Sequence, residues 1–284
     1  MAEHQKKLWP LPIPFTKMSG AGNDFIICDH RKSFLAEHEM AELAKLVCRR
    51  KFSVGADGLI LIENDPQVDF LWHFYNADGS LAEMCGNGAR CAARFAYDSG
   101  IAPASMRFKT VAGVIEAEII EAAVKLKMTR PVDLRLDQQI TINNEEISAH
   151  HINTGVPHVV IFVDDITKAA MIKQGRAVRN HSVYQPAGAN VNFVEMRGAQ
   201  ELYVRTYERG VEGETMACGT GAVAAALIAA QTRDAVSPVR IITSGGDSLY
   251  IHFRLDTNKD VHEVYLEGPA HTIYSGQLRE DALK

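Results

Sequence analysis

Two cysteines of this chain share one local context. Cys85 and Cys218 each stand immediately before a Gly-x-Gly turn (86–88 and 219–221) that opens an Ala-rich segment with a helical pattern. Unpaired backbone N–H groups and the positive end of the macrodipole stabilise negative charge at a helix N-terminus. A thiol placed there can have its pKa lowered from about 8.5 to roughly 3.5–7.5. Each cysteine is therefore a candidate acid or base near neutral pH.

A pair of such groups suits the inversion of a tetrahedral carbon. That reaction needs a base to remove a proton from one face and an acid to deliver a proton to the other. One thiolate and one thiol can do this, and their roles exchange when the reaction runs backwards. The carbanion beside a carboxylate resembles an enediolate, whose oxygens two helix N-termini would stabilise. This chemistry requires no cofactor.

The other three cysteines have an ordinary explanation. A single cysteine is more often a small buried hydrophobe than a reactive group. Cys28 and Cys48 sit inside apolar patterns, and Cys91 lies two turns into the first Ala-rich helix. We therefore expect these three to contribute volume to the core. The repeated glycine context is what separates Cys85 and Cys218 from them.

The two cysteine contexts belong to an internal duplication with an offset of 133 residues. Several separated segments match at this offset without a gap, and from 85 to 96 seven of twelve positions are identical. The matched segments are 22–27 with 155–160, 55–57 with 188–190, 85–89 with 218–222, and Arg107, Thr110 and Gly113 with Arg240, Thr243 and Gly246. Four segments in the same order indicate two halves of similar topology.

Hydrophobic periodicity predicts the same element order in both halves. The predicted strands are 24–29, 68–75, 159–163 and 202–207, and the predicted helices are 37–50, 87–102, 166–176 and 220–231. The helices that follow Cys85 and Cys218 are apolar nearly all round, which predicts that they are buried. We therefore expect an α+β fold of two pseudo-symmetric domains, each a curled, mostly antiparallel sheet around a central helix. The predicted domains are 1–129, joined by a C-terminal strand at 273–284, and 130–272.

Composition limits the partners and the compartment. The net charge is -5, with 30 Lys and Arg against 35 Asp and Glu and no basic stripe, so we expect no nucleic acid partner. The longest apolar run, 222–230, is far shorter than the roughly 20 residues of a membrane span, so we expect no membrane partner. The N-terminal segment has no apolar signal-peptide core, and five cysteines without a Cys-x-x-Cys motif fit a reducing environment. A cytoplasmic protein is expected.

Three segments carry a family resemblance. They are Met18 to Phe25, Asn76 to Ser80 running into Glu83 to Arg90, and Tyr207 to Gly210 running into Glu214 to Gly221. They closely resemble the diaminopimelate epimerase family, and the likeness spans nearly the whole chain after the first dozen residues. The resemblance implies interconversion of LL- and meso-diaminopimelate, without pyridoxal phosphate or metal, in lysine and peptidoglycan precursor synthesis. It also implies a homodimer of two-domain chains acting on a small amino-acid substrate.

The resemblance also assigns roles by motif. Cys85 and Cys218 are similar to the two acid–base groups of the family, with His158 and Glu208 assisting them. The implied substrate contacts are Asn23, Asn76, Gly86, Asn87, Asn190, Glu208, Arg209, Gly219 and Thr220. Physical chemistry agrees, because a substrate with two carboxylates and two ammonium groups needs an Arg fork and amide oxygens. The counterparts of His158 and Glu208 at the 133 offset are Phe25 and Tyr75, so the assisting groups come only from the second half.

Two departures from the family pattern leave alternatives open. Many members carry Asn before the Pro-His where this chain has Val156, and Gln where this chain has Gly58. A racemase of another amino acid, such as histidine, therefore remains an alternative. A dinucleotide-binding protein is a remote one, since the segment 219–224 fits Gly-x-Gly-x-x-Ala but follows a polar stretch. A cysteine hydrolase is another, although it gives no reason for a second cysteine.

Overall fold

The structure is a computed structural model that describes residues 9–142 and 144–284, so the first eight residues of the N-terminal segment lie outside it. Four α-helices are present in these residues: α1 Glu37–Val47, α2 Gly86–Asp98, α3 Met171–Arg179 and α4 Gly219–Thr232. The strands in the same residues are β1 Ile13–Gly20, β2 Asn23–Asp29, β3 Gly58–Glu63, β4 Phe70–Asn76, β5 Ser105–Thr110, β6 Gly113–Ile120, β7 Ala123–Lys127, β8 Val132–Ile142, β9 Glu145–Asn153, β10 Pro157–Phe162, β11 Asn190–Gly198, β12 Glu201–Glu208, β13 Gly213–Thr215, β14 Val239–Thr243, β15 Ser248–Leu255, β16 Val261–Pro269 and β17 His271–Leu278.

The chain divides into two compact units. Unit 1 comprises Met1–Val124 together with Ala270–Lys284, and unit 2 comprises Lys125–Pro269. The assignment of 1–129 with 273–284 and of 130–272 to two functional halves stays a prediction. No helix in the described part of the chain is long and apolar enough to cross a membrane.

Unit 1 is a mixed, mostly antiparallel sheet with a helix on each face. Its strands pair in the order β17, β1, β2, β3, β4, β5, β6, with parallel pairs at β2–β3 and β4–β5. Helices cover both faces of the central strands β2 and β3. Ile26 and Leu59 pack with α1 on one face, and Phe25 and Ile60 lie against Gly88 of α2 on the other. This explains why their sequences are continuous hydrophobic runs, as is usual for strands that are buried on both faces.

Unit 2 repeats this arrangement. Its strands pair in the order β8, β9, β10, β11, β12, β14, β15, β16, with parallel pairs at β10–β11 and β12–β14. Met171 and Val178 of α3 pack with Val159 and Phe193 of the sheet. Every residue of α4 from Gly221 to Ala230 is buried. α4 is therefore the central helix of this unit, as the apolar sequence predicts.

The 133-residue offset relates the elements of the two units. Shifted by 133, β2 falls at 156–162 on β10, β3 falls at 191–196 within β11, and α2 falls at 219–231 within α4. The paired strands run in the same relative directions in both units, antiparallel at β1–β2 and β9–β10 and parallel at β2–β3 and β10–β11. The predicted α+β fold, with a curled sheet around a central helix in each domain, is confirmed.

The predicted bounds of several helices are wrong in detail. The segment predicted as a single helix at 166–176 is a 3-10 turn, Ile166–Lys168, followed by a break and then by α3. The side chain of Asp165 accepts a hydrogen bond from the backbone N–H of Thr167, which caps the short turn. The helix predicted at 87–102 ends at Asp98, because Gly100 takes a positive φ of 66° just beyond it.

Candidate active site

Cys85 lies immediately before the first residue of α2 in unit 1. Its backbone is extended, with φ −146° and ψ 119°, and its carbonyl oxygen accepts the first helical hydrogen bond from Ala89 over 2.8 Å. This is the geometry of an N-cap residue. The side chain is half-buried, so the thiol stands beside the first N–H groups of a buried helix.

Asn87 ties the start of α2 to strand β2. Its side-chain nitrogen donates to Oδ1 of Asn23 over 2.8 Å, and its oxygen accepts from Nη2 of Arg90 over 2.8 Å. Asn87 is 4% exposed and Arg90 is fully buried. The two predicted substrate contacts Asn23 and Asn87 are therefore brought into direct contact, with amide orientations set by their neighbours.

Asn23 is held in turn by a charged cluster. Its side-chain nitrogen donates to Oδ2 of Asp57 over 2.9 Å. Asp57 shares Nη2 of Arg50 with Asp24, whose carboxylate also lies 2.7 Å from Nζ of Lys17. This cluster orients Asn23 through hydrogen bonds that connect β2 with the segment before β3. Sequence analysis did not select Asp57, Arg50 or Lys17 as site residues.

Asn76 lies at the end of β4 and is exposed. Its side-chain nitrogen donates to Oγ of Ser80 over 2.9 Å, and Ser80 in turn donates to Asp78 over 2.6 Å. These bonds organise the polar turn that follows β4. None of the hydrogen bonds described for Asn76 connects it to Asn23 or Asn87.

Cys218 lies immediately before α4 in unit 2, in the same position as Cys85 before α2. Its backbone is extended, with φ −123° and ψ 109°, and its carbonyl oxygen accepts from the N–H of Ala222 over 2.9 Å. Its sulfur lies 3.5 Å from Oγ1 of Thr220, and the same hydroxyl lies 2.9 Å from Nε2 of His158. The structure thus brings together three predicted site residues, Cys218, Thr220 and His158.

His158 is fully buried in the sheet of unit 2. Burial, with smaller contributions from His151 and the guanidinium group of Arg209, lowers its pKa to about 3. The imidazole is therefore neutral at physiological pH. In that state one ring nitrogen donates a hydrogen bond and the other accepts one.

Two polar residues connected to His158, one directly and one through the other, were missed by sequence analysis. Asn192 is fully buried in β11 and its side-chain nitrogen lies 3.1 Å from Nδ1 of His158. Thr206 of β12 donates its hydroxyl proton to Oδ1 of Asn192 over 2.9 Å. The available signal was a polar residue inside the apolar run 191–194, since buried polar side chains are almost always hydrogen-bonded.

Glu208 ends β12, next to the hairpin that leads to β13. Burial raises the pKa of its carboxyl group, and the neighbouring hydroxyl of Thr215 partly opposes that shift. Thr215 and Cys218 both line a small cavity of about 10 Å³, which is roughly the size of one water molecule. Along the chain, the hairpin and β13 separate Glu208 from the cysteine segment.

Asn190 and Arg209 are directly connected. Asn190, the first residue of β11, is 4% exposed and its Oδ1 accepts from the backbone N–H of Arg209 over 2.8 Å. Nη1 of Arg209 donates to the carbonyl oxygen of Ala187 over 2.8 Å. The first contact holds the backbone of Arg209 just after β12, and the second holds its guanidinium group.

The remaining cysteines are buried, as predicted. Cys28, Cys48 and Cys91 are 0%, 3% and 0% exposed. Burial raises the pKa of each of these thiols to about 12. The sulfur of Cys91 packs against Gly20, where an added Cβ atom would lie 3.0 Å from it.

Gly58 has a steric explanation. A Cβ atom at this position would lie 2.5 Å from Cε2 of Phe74 and 2.7 Å from the carbonyl oxygen of Tyr75. Phe74 therefore occupies the space into which a longer side chain at position 58 would extend. Val156 lies just before β10, and its carbonyl oxygen accepts from the N–H of Thr154.

The dinucleotide alternative does not match the local topology. The strand before Gly219 is the three-residue β13, which pairs antiparallel with β12. A dinucleotide fingerprint requires a buried parallel strand that leads into the helix. Within residues 9–142 and 144–284, no group of three or more His, Cys, Asp or Glu side chains is arranged to hold a metal ion.

Solved structures share this architecture. A phenazine biosynthesis protein of the PhzF family from Bacillus anthracis aligns over 94% of this chain and 99% of its own length, with a TM-score of 0.70 and 15% identity. A hydroxyproline epimerase from Agrobacterium vitis aligns over 97% of this chain and 94% of its own, with a TM-score of 0.66 and 16% identity. The chain therefore has the α+β fold found in these proteins.

Sequence comparison identifies the family within this fold. The diaminopimelate epimerase family model matches residues 15–133 and 150–273. The diaminopimelate epimerase of Aquifex aeolicus (strain VF5) is 45% identical over 283 residues, which cover 96% of this chain and all of the relative. This chain belongs to the diaminopimelate epimerase family, and the resemblance noted in the sequence is confirmed.

Proposed function

We propose that this chain is a cofactor-independent epimerase that interconverts LL- and meso-diaminopimelate in lysine and peptidoglycan precursor synthesis. The observation that carries the proposal is the duplicated cysteine: one precedes the central helix of each unit, at positions related by the 133-residue offset. Both segments of the family match contain one of these cysteines. A hydrolase or redox enzyme with one reactive thiol would not need the second copy.

In the proposed reaction, one thiolate removes the proton from the α-carbon. The electron pair of the broken C–H bond moves into the adjacent carboxylate and forms an enediolate. The thiol of the other cysteine then donates its proton to the opposite face of the carbon. The first cysteine finishes as a thiol and the second as a thiolate, so the reverse reaction uses the same groups with exchanged roles.

The helix starts supply the electrostatic support for this reaction. Gly86 with Asn87, and Gly219 with Thr220, are the first two residues of α2 and α4. Their backbone N–H groups suit the negative charge that develops on the carboxylate oxygens. A glycine at each first position leaves the backbone without a side chain that could block a substrate. A Cβ atom at Gly86 would meet nothing within 4 Å, and one at Gly219 would lie 3.1 Å from Cδ1 of Leu266.

The remaining residues are proposed to recognise the ends of the substrate. Arg209 suits a distal carboxylate, because a guanidinium group binds carboxylates with two parallel hydrogen bonds. The amide groups of Asn23, Asn76 and Asn190 suit the ammonium and carboxylate groups. His158 and Glu208 are proposed to assist the cysteines, since both have pKa values shifted by burial.

A homodimer and a cytoplasmic location also stay proposals. The five cysteines and the absence of a Cys-x-x-Cys motif support a reducing compartment. Analytical ultracentrifugation across a range of protein concentrations tests the homodimer. A single monomeric species at micromolar concentration would contradict it.

The direct test of function is isotope exchange. The purified protein is incubated with LL-diaminopimelate in deuterated water, and the product is analysed by mass and by chirality. We expect formation of the meso isomer with deuterium at the α-carbon. Histidine and other amino acids tested in parallel address the racemase alternative, which exchange of histidine in place of diaminopimelate would support.

Three cysteine variants complete this test. Cys85→Ala and Cys218→Ala should each abolish epimerisation, because each removes one of the two proton-transfer groups. The matched control is Cys91→Ala, a buried cysteine on α2 whose counterpart in unit 2 is already Ala224. Full activity in Cys85→Ala would refute the two-base mechanism.

A further inference from the structure

The amide of Asn192 has a defined orientation. One of its side-chain atoms lies 3.1 Å from the backbone carbonyl oxygen of Val159, which can only accept a hydrogen bond. That atom must therefore be the nitrogen. The other side-chain atom is the oxygen, and it accepts the hydroxyl proton of Thr206. The two N–H bonds of the amide then point to Val159 and to His158.

This orientation selects the tautomer of His158. Because the amide nitrogen of Asn192 donates to Nδ1, that ring nitrogen must be the unprotonated one. In a neutral imidazole the proton then lies on Nε2. Nε2 is 2.9 Å from Oγ1 of Thr220, so His158 donates and the hydroxyl oxygen accepts.

The hydroxyl of Thr220 thereby keeps its own proton for another acceptor. The sulfur of Cys218 lies 3.5 Å from Oγ1, within hydrogen-bond range for sulfur. A hydroxyl that donates to a thiolate stabilises the charged form. The amide group of Asn192 thus sets the direction of each hydrogen bond in the series that begins at Thr206 and ends at Cys218.

We propose that Asn192 is a positioning residue: it holds His158 as the Nε2–H tautomer and, through it, directs the hydroxyl proton of Thr220 to the sulfur of Cys218, favouring the thiolate. This inference rests on the proposed role of Cys218 as an acid–base group. Asn192 acts only through His158 and Thr220 and makes no contact with the sulfur in the described hydrogen bonds.

The surroundings of His158 keep it neutral. It is fully buried, and His151 on β9 and Arg209 after β12 add to the effect of burial in disfavouring its protonated form. The proposed sequence of hydrogen bonds requires Nδ1 to accept one from Asn192. A protonated imidazole could not do this, so the ring must be neutral. The lowered pKa of His158 supports this state at neutral pH.

Unit 2 thus contains a hydrogen-bond relay formed by Asn192, His158 and Thr220, and the counterparts of these residues in unit 1 cannot form it. The counterparts of His158, Asn192 and Thr220 at the 133 offset are Phe25, Leu59 and Asn87. Phe25 and Leu59 are apolar and buried, and Asn87 is bound to Asn23 and Arg90 instead. The two cysteines therefore have different polar surroundings, although their backbone positions are equivalent. Leucine is therefore a suitable apolar replacement for Asn192, because Leu59 already occupies the equivalent strand position in unit 1.

The first test is nitrogen-15 NMR of the imidazole groups in the full-length protein. At neutral pH we expect His158 to show a protonated Nε2 and an unprotonated Nδ1. In Asn192→Leu we expect this single tautomer to be lost, because Nδ1 no longer receives a donor. A protonated Nδ1 in the unaltered protein would overturn the inference.

The second test measures alkylation of Cys218 by iodoacetamide in a Cys85→Ala background. Thr220→Val removes the hydroxyl with little change of shape, and it should slow alkylation at neutral pH by about tenfold. Thr220→Ser keeps the hydroxyl and should stay within about twofold of the background. Asn192→Leu should slow the reaction in the same direction as Thr220→Val.

The pH dependence separates ionisation from access. The alkylation rates of all variants should converge at high pH, where the thiol is ionised without help from a donor. A difference that persists at high pH would mean altered access and would overturn the inference, as would an unchanged rate in Thr220→Val. If Asn192→Leu does not fold, Thr220→Val and Thr220→Ser still decide the outcome.

These readouts use no substrate, so they are independent of the proposed function. Deuterium exchange into diaminopimelate with no effect of Thr220→Val on alkylation would reject the relay and leave the epimerase intact. The expected alkylation series without any exchange would reject the epimerase and leave the relay intact.

Discussion

Gly221 on α4 lies so close to Asn192 on β11 that a Cβ atom on the glycine would be 2.3 Å from Oδ1 of the amide. This approach is what lets the central helix of unit 2 pack against a polar group inside the sheet. The corresponding glycine of unit 1, Gly88, faces Ile60 and Phe25 at ordinary contact distances of 3.4 and 3.5 Å. Two equivalent glycines thus have different steric roles.

Alanine at these two glycines should therefore have opposite effects. In Gly221→Ala the overlap with Asn192 should destabilise the protein by about 1–3 kcal/mol, more than the gain of up to about 1 kcal/mol from helix propensity. In Gly88→Ala the contacts are tolerable, so stability should stay the same or rise slightly. Urea unfolding midpoints measure both. Equal midpoints would show that α4 shifts freely to admit the methyl group.

Gly58→Ala should also be destabilising. The added Cβ would overlap the ring of Phe74 and the backbone oxygen of Tyr75, and backbone cannot move aside as a flexible side chain can. We expect a loss of about 1–3 kcal/mol in the free energy of unfolding. Gly198→Ala is the matched control, since nothing lies within 4 Å of its Cβ position. A stable Gly58→Ala would revive a recognition role for the side chain at this position.

Alkylation should separate the five cysteines into two groups. Burial and pKa values of about 12 keep Cys28, Cys48 and Cys91 as unreactive thiols at neutral pH. Cys85 and Cys218 are half-buried at helix starts and should react with iodoacetamide. Mass spectrometry of peptides should therefore find two modified sites in the native protein and five in urea. Modification of Cys91 before Cys85 would contradict the packing of α2.

The burial of His158 predicts a pH dependence of stability. Its pKa is about 3 in the folded protein and near 6.5 in an unfolded chain, so between these values the unfolded state binds more protons. Stability therefore rises with pH in this window and falls as the pH is lowered from about 6.5 toward 3. The limiting slope for one such group is about 1.4 kcal/mol per pH unit.

His158→Gln isolates this contribution, because glutamine stays neutral throughout. We expect its unfolding free energy to depend less steeply on pH than that of the unaltered protein between about pH 4 and 6. The same substitution at the exposed His271 serves as a control for surface charge. Parallel pH curves for His158→Gln and the unaltered protein would mean that His158 is not buried in its neutral form.

Much of this molecule follows from local sequence patterns. The glycine turns after Cys85 and Cys218, the apolar helices behind them and the 133-residue offset predict two units with a central helix each, and the structure confirms this fold. These features are visible because helix periodicity and glycine turns are properties of short segments. The same patterns failed at 166–176, where two non-helical residues separate a 3-10 turn from the start of α3.

The contacts that give the candidate site its chemistry were decided only by tertiary structure. His158 and Thr220 are 62 residues apart and Asn192 and His158 are 34 apart, so their hydrogen bonds exist only because β10 pairs with β11 and α4 packs against both. The overlap that excludes a side chain at Gly58 arises in the same way, from the pairing of β3 with β4. Strand pairing brings together residues that are distant in the chain, and no single segment carries that information.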